Sequence, residues 1–174
     1  MNIKLQLLSE QIEHERNKLL NRLATLPPER LEHKASLTKW SVNEILIHLL
    51  TSEQLTLAYL KKKSLGWDQL RNSGVTQSLM MLILQLSQRL PLLKYKAPKG
   101  LVASTPEPIS LTDLRIRWDS SRTELKNFLE TIHEKNLYKL VYKHPVAGRF
   151  DIIQCIKFMH EHFHHHLPQI KRLL

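Results

Sequence analysis

The chain has 174 residues, 42% of them hydrophobic, which suits one domain with a single sizeable core. Its net charge of +10 is scattered, with Lys61, Lys62 and Lys63 the only compact basic run, whereas nucleic-acid binding needs a concentrated basic patch, so a nucleic-acid partner is disfavoured. Four glycines argue against a sheet protein; the single cysteine, Cys155, excludes an internal disulfide and fits a reducing compartment; no signal-peptide pattern is evident; and the greasiest window, Leu79 to Leu84, falls far short of the ~20 residues of a membrane span. The composition therefore predicts a soluble cytoplasmic protein without a membrane partner.

Four long helical segments are predicted. The first runs from about Ile3 to Leu26, with Leu5, Leu8, Ile12, Leu19 and Leu23 at helical spacing, and Pro27 and Pro28 end it. A linker to Lys39 follows. Ser41 then opens the second helix as a cap, Glu44 sits where a capping box places its acid, and Trp40 stands ready to staple the entry. This helix extends to about Leu60. Residues 61–109 form a long connection, helical over Thr76 to Arg89 and punctuated by Pro91, Pro98, Pro106 and Pro108. A connector of that length suits a crossover along a bundle, since adjacent antiparallel helices need only a few residues. The third helix starts at Ser110 with Asp113 as capping partner and carries Leu111, Leu114, Trp118, Leu125, Leu129 and Ile132 on one stripe. Residues 135–150, with Pro145 and Gly148, form a second connection that includes a short extended piece at Leu140 to Tyr142. Asp151 caps the last helix, which runs to the C-terminus. The fold predicted is all-α, an antiparallel four-helix bundle with a long crossover between its second and third helices, as a single domain over 1–174.

The last helix holds His160, His162, His164, His165 and His166. At 100° per residue, Ile152, Ile156, Met159, Phe163, Ile170 and Leu173 share an apolar arc. His162 and His166 fall on that arc; His160, His164 and His165 fall outside it. Four residues apart, the first two rings lie over successive turns and can converge on one point. A lone inward histidine is usually an ordinary core residue, but two buried imidazoles need partners for their ring nitrogens, and a metal ion satisfies one nitrogen on each. Two ligands make half a site, so a third is expected from another helix. His48 is the candidate, near the edge of an apolar arc with Val42, Ile45, Leu49 and Tyr59, where periodicity leaves its direction open. His14, His33, His133 and His144 lie on polar faces or in connections and are expected to be exposed.

The inward stripes also carry polar breaks: Glu15 and Arg16 on the first helix, Ser52 on the second, Ser121 and Arg122 on the third. Two readings stand. Either these breaks lie at one level and line a cavity, or the arginines snorkel outward and Glu15 is simply exposed.

At these residues the chain resembles the DinB-like (DinB/YfiT-like) family. The run Lys39-Trp40-Ser41-Val42-Asn43-Glu44-Ile45 followed by His48-Leu49 resembles the family's first signature. The run from His162 to Ile170, with His166 four residues on and then Gln169-Ile170, resembles its second; His144-Pro145 and Gly148 resemble its approach to the last helix. The resemblance implies a four-helix bundle with a long crossover, metal ligation by His48, His162 and His166, and often a homodimer. It implies a metal-dependent enzyme, hydrolase-like proteins and thiol S-transferases being among the relatives, and it implies no direct DNA binding. Pro168 departs from the pattern, standing where a small residue is usual; it removes a backbone hydrogen bond to residue 164 and favours a kink just past His166.

Three neutral imidazoles leave at least one coordination position open, the pattern of catalytic rather than structural sites. That position suits water or a thiolate, so a hydrolase or a thiol S-transferase acting on a small-molecule substrate, with a thiol cosubstrate in the second case, is the leading expectation. Glu15 is the inward carboxylate available as a general base, and Gln169 can orient a ligand ring or a bound water from behind. A non-catalytic bundle that binds metal or ligand, and a basic nucleic-acid-binding module, are the alternatives. Histidine nitrogen suits Zn, Ni, Fe and Cu alike, so the sequence names no metal.

Overall fold

The computed structural model describes residues 1–36, 38–89, 109–144 and 146–174; the proline-punctuated part of the long connection, 90–108, and Pro145 lie outside them. Six α-helices and a two-stranded hairpin make up the fold: α1 (Ile3–Leu23), α2 (Pro28–Glu32), α3 (Val42–Ser64), α4 (Val75–Arg89), α5 (Leu111–Glu130), β1 (Tyr142–His144), β2 (Gly148–Phe150) and α6 (Ile152–Leu173). The described residues are thus mostly helical, and their strands form one small hairpin.

Local chemistry fixes most of the boundaries. Ser41 Oγ accepts from the Glu44 amide at 3.2 Å while the Glu44 carboxylate accepts from the Ser41 amide at 2.8 Å, a complete capping box at the start of α3. Asp151 and Gln154 repeat that arrangement at α6, and Ser110 caps α5 by accepting from the Asp113 amide. α1 ends at Leu23, short of the expected Leu26, because the amides of Thr25 and Leu26 turn back to carbonyls three residues earlier ahead of Pro27. The expected linker after it contains α2, whose first residue is Pro28, a position that needs no amide hydrogen. In the second connection the extended piece lies at Tyr142–His144, two residues later than read from sequence, and pairs antiparallel with Gly148–Phe150. Gly148, at φ 84°, supplies the left-handed residue that this turn requires.

Cross-helix bonds give the directions. Asn43 meets Ile109, Glu53 meets Trp118 and Arg122, and Lys61 meets Glu124, so α3 and α5 run the same way. Asn21 meets Arg115 and Arg16 meets Asp119, so α1 opposes α5. His48 meets His162 on α6, and Trp40, just ahead of α3, stacks with His166, so the later turns of α6 lie toward the start of α3. Two consecutive long helices that run parallel require the chain to travel back along their length. α4 makes part of that return beside α6, with Ser73 bonded to Asp151 and Gln85 to Glu161.

Two apolar clusters fill the interior. One gathers Leu5, Ile12, Leu57, Leu125 and Met159; the other gathers Leu20, Leu50, Trp118 and Phe163. On α1, α3, α5 and α6 a polar stretch separates them: Arg16 on α1, Glu53 on α3, Arg122 on α5, and residues 160–162 on α6. The polar breaks of the helices therefore do fall at one level. The arginines do not snorkel outward. Arg16 is only 1% exposed, pairs with Glu13 and Asp119, and lies 5.6 Å over the Trp118 ring; Arg122 pairs with Glu53, which also accepts from the Trp118 indole at 2.7 Å.

Candidate metal centre

α3 and α6 deliver three imidazoles to one place. His48 projects from the second turn of α3, and His162 and His166 project from α6 one turn apart. The Nε2 atoms of His48 and His162 lie 3.2 Å apart, those of His162 and His166 also 3.2 Å, and all three fall within 4.8 Å of one another. A tetrahedral ion roughly 2.0–2.1 Å from two imidazole nitrogens holds them about 3.3 Å apart. The spacing fits a metal.

Proton chemistry points the same way. Each Nε2 of a neutral imidazole carries either one hydrogen or one lone pair. The Oε1 atom of Gln169 lies 3.0 Å from His166 Nδ1; an amide oxygen only accepts, so Nδ1 carries the hydrogen and Nε2 presents its lone pair. Burial together with the neighbouring imidazoles pushes His162 well below the usual histidine range and His166 down to about 3; burial, and then His165, lowers His48. All three rings are neutral at physiological pH, the state a metal ligand needs.

The walls are aromatic. Trp40 lies 4.9 Å from the His48 ring and 6.4 Å, stacked, from His166, while Phe158 stacks on His162 at 5.7 Å. Trp40 is thus part of the site's wall, a role its position ahead of the Ser41 cap does not reveal. Pro168 lies inside α6, which continues to Leu173, so the helix carries both His166 and Gln169 through the proline.

Glu15, the inward acid of the sequence reading, reaches a different group. Its Oε2 lies 3.1 Å from His160 Nε2 and 2.6 Å from His164 Nε2, and it does not belong to the set that converges on His48, His162 and His166. Nor is it the only inward carboxylate, since Glu44, Glu53, Asp151 and Glu161 are all buried. His14, His33 and His133 are exposed, but His144 is buried at 8% exposure, against the expectation. Its Nδ1 accepts from the amides of Val146 and Ala147, and its ring packs 4.5 Å from Phe158, so the hairpin turn satisfies a histidine that sequence position suggests is solvated. Ser52 is half-buried, and Ser121 is buried beside Arg122.

Among the described residues, no helix is long and apolar enough to cross a membrane. The sequence profile of the family described as the DinB superfamily matches residues 11–170. The chain is also 26% identical over 157 residues, 88% of each chain, to an uncharacterized protein, YuaE, of Bacillus subtilis strain 168. No solved structure matches it.

Proposed function

This chain belongs to the DinB superfamily, and on that premise we propose that it is a metal-dependent enzyme whose centre is His48, His162 and His166. The observation that carries the reading is the convergence of three neutral Nε2 atoms at metal-ligand spacing, with Gln169 holding the His166 tautomer. Among the described residues no fourth histidine, cysteine or carboxylate joins that set, so the protein leaves part of the coordination sphere free for a small molecule. When bound there, a divalent ion (Zn, Ni or Fe) supplies Lewis acidity that activates water or a thiol at neutral pH.

The protein's own part is to hold and to shield. Gln169 fixes one ring, the i, i+4 spacing on α6 fixes the second against it, and the cap at Ser41 fixes the entry of the helix that bears the third. Trp40 and Phe158 restrict water around the rings. The reaction class that fits this apparatus is hydrolysis of a small electrophilic substrate or transfer of a thiol onto it. The scaffold proposed is a four-helix bundle of α1, α3, α5 and α6 as one domain, the long connection forming the crossover. A homodimer and a cytoplasmic setting belong to the same proposal. The outer face of α4, with Val75, Leu79, Ile83 and Leu86 exposed, supports a second copy, and the lone buried Cys155 suits a reducing compartment.

The test uses untagged protein loaded with one metal at a time and screened with thiol cosubstrates and with ester, amide and electrophilic acceptors. Turnover that requires metal and falls at least a hundredfold in His48→Ala is expected. A protein that binds metal at His48 but turns over nothing across both substrate classes would favour a binding role and overturn the enzyme reading.

A further inference from the structure

The histidine-rich stretch of α6 is two interleaved pairs. His162 and His166 face α3; His160 and His164, offset by two residues and so about 200° around the helix, face α1. There they meet Glu15, and the three ligand atoms form a closed triangle. His160 Nε2 lies 3.1 Å from His164 Nε2, and Glu15 Oε2 lies 3.1 Å from the first and 2.6 Å from the second.

Hydrogen bonds alone cannot satisfy that triangle. The Glu15 carboxylate, which also takes a hydrogen bond from the Gln11 amide, offers only acceptor oxygens. If both Nε2 atoms carry hydrogens, the 3.1 Å contact between the rings sets donor against donor. If either Nε2 carries a lone pair instead, its contact with Glu15 sets acceptor against acceptor. Every arrangement of neutral imidazoles leaves one edge repulsive, and a cation at the centre removes the conflict on all three. An ion roughly 2.0–2.2 Å from nitrogen and oxygen ligands spaces them about 2.8–3.6 Å apart, from octahedral to tetrahedral geometry; the two 3.1 Å edges fall inside that range and the 2.6 Å edge lies just below it.

We propose that Glu15, His160 and His164 form a second divalent-metal site, of two imidazoles and one carboxylate, on the opposite face of α6 from the three-histidine centre. Its donor set suits a transition-metal ion such as Zn2+. The His164 side chain is 39% exposed and that of Glu15 25%, so the remaining coordination positions open to solvent and the ion exchanges freely. Because Glu15 belongs to α1, the same ion fastens the first helix to the last.

Equilibrium dialysis of the untagged, metal-free full chain against Zn2+ at pH 7.5, followed by metal analysis, tests the inference without reference to activity. Two equivalents are expected in the wild type, one in His164→Ala and one in His48→Ala. Glu15→Gln, which keeps the side chain's shape, is expected to weaken the second equivalent at least tenfold and leave the first unchanged, with helix content by circular dichroism confirming that each variant is folded. A single wild-type equivalent that His48→Ala removes and His164→Ala leaves in place overturns the second site and leaves the three-histidine centre standing. A count of two that neither His164→Ala nor Glu15→Gln alters overturns it as well. One equivalent lost in His164→Ala but kept in His48→Ala supports the second site and sinks the first.

Discussion

Replacing Gln169 with leucine tests whether the protein prepares His166 for a metal. The Gln169 oxygen, 3.0 Å from Nδ1, keeps the hydrogen on that nitrogen and the lone pair on Nε2. Leucine fills similar space but accepts nothing, so His166 is free to move its hydrogen to Nε2, where it faces His162 at 3.2 Å. Metal binding must then reverse that tautomer and leave Nδ1–H without a partner in a largely buried setting. Loss of such an outer hydrogen bond typically weakens metal binding about 10–100-fold, equivalent to about 1.4–2.8 kcal/mol. Gln169 is partly exposed, so the fold should tolerate the change. The assay is Zn2+ affinity by competition with a chromophoric chelator at pH 7.5, in the His164→Ala background so that only the three-histidine centre is read. Gln169→Glu, which restores an acceptor, is expected to bind at least as tightly as wild type. Equal affinity in wild type and Gln169→Leu, or equal weakening by leucine and glutamate, would refute the tautomer argument.

Glu53 is buried against Arg122 and the Trp118 indole. Glu53→Ala leaves that guanidinium without its partner and is expected to cost about 3–5 kcal/mol in urea denaturation; a loss below about 1 kcal/mol would show that the polar layer is not structurally coupled. The metal-free protein should lose stability in mild acid, because burial holds His144 down to about 4 and His166 down to about 3. Both pKa values are depressed, so below the unfolded value near 6.5 the unfolded chain takes up protons that the folded chain refuses. Stability contributed by the neutral rings is therefore complete above that pH and declines as the pH falls toward the folded values. His144→Asn, whose side-chain oxygen can serve the same two amides without titrating, should flatten the decline, and an unchanged pH profile would contradict this. Gly148→Ala is expected to cost about 1 kcal/mol by thermal denaturation, since alanine disfavours the positive φ at that turn.

What the sequence made legible was local or periodic. Ser41 with Glu44, Ser110 with Asp113, and Asp151 announce helix starts because a cap lies within four residues of the amide it satisfies. His162 and His166 stand out because helix phase is set by spacing alone. Phase alone does not separate His48 from a core histidine; only the resemblance to the family's first signature singles it out. Glu15 shows where such reasoning stops: periodicity leaves it either lining the interior or exposed, and its partners depend on the register between α1 and α6. The same limit applies to Arg16 and Arg122, whose neutralising acids, Asp119 and Glu53, come from other helices. The burial of His144 escapes sequence pattern for a different reason. A histidine in a connection is usually solvated, and only the hairpin turn, by offering two amides to Nδ1, makes its burial affordable. Pro28 did carry a signal for α2, since proline fits the first turn of a helix, but its neighbour Pro27 reads first as a terminator.

The most direct test of the three-histidine centre is crystallographic: crystals of the untagged protein equilibrated with Zn2+, with anomalous differences measured across the zinc absorption edge. The expected result is a peak roughly 2.0–2.1 Å from the Nε2 atoms of His48, His162 and His166 together, with Gln169 still bonded to His166 Nδ1. A map at saturating zinc with no peak among those three rings would contradict it.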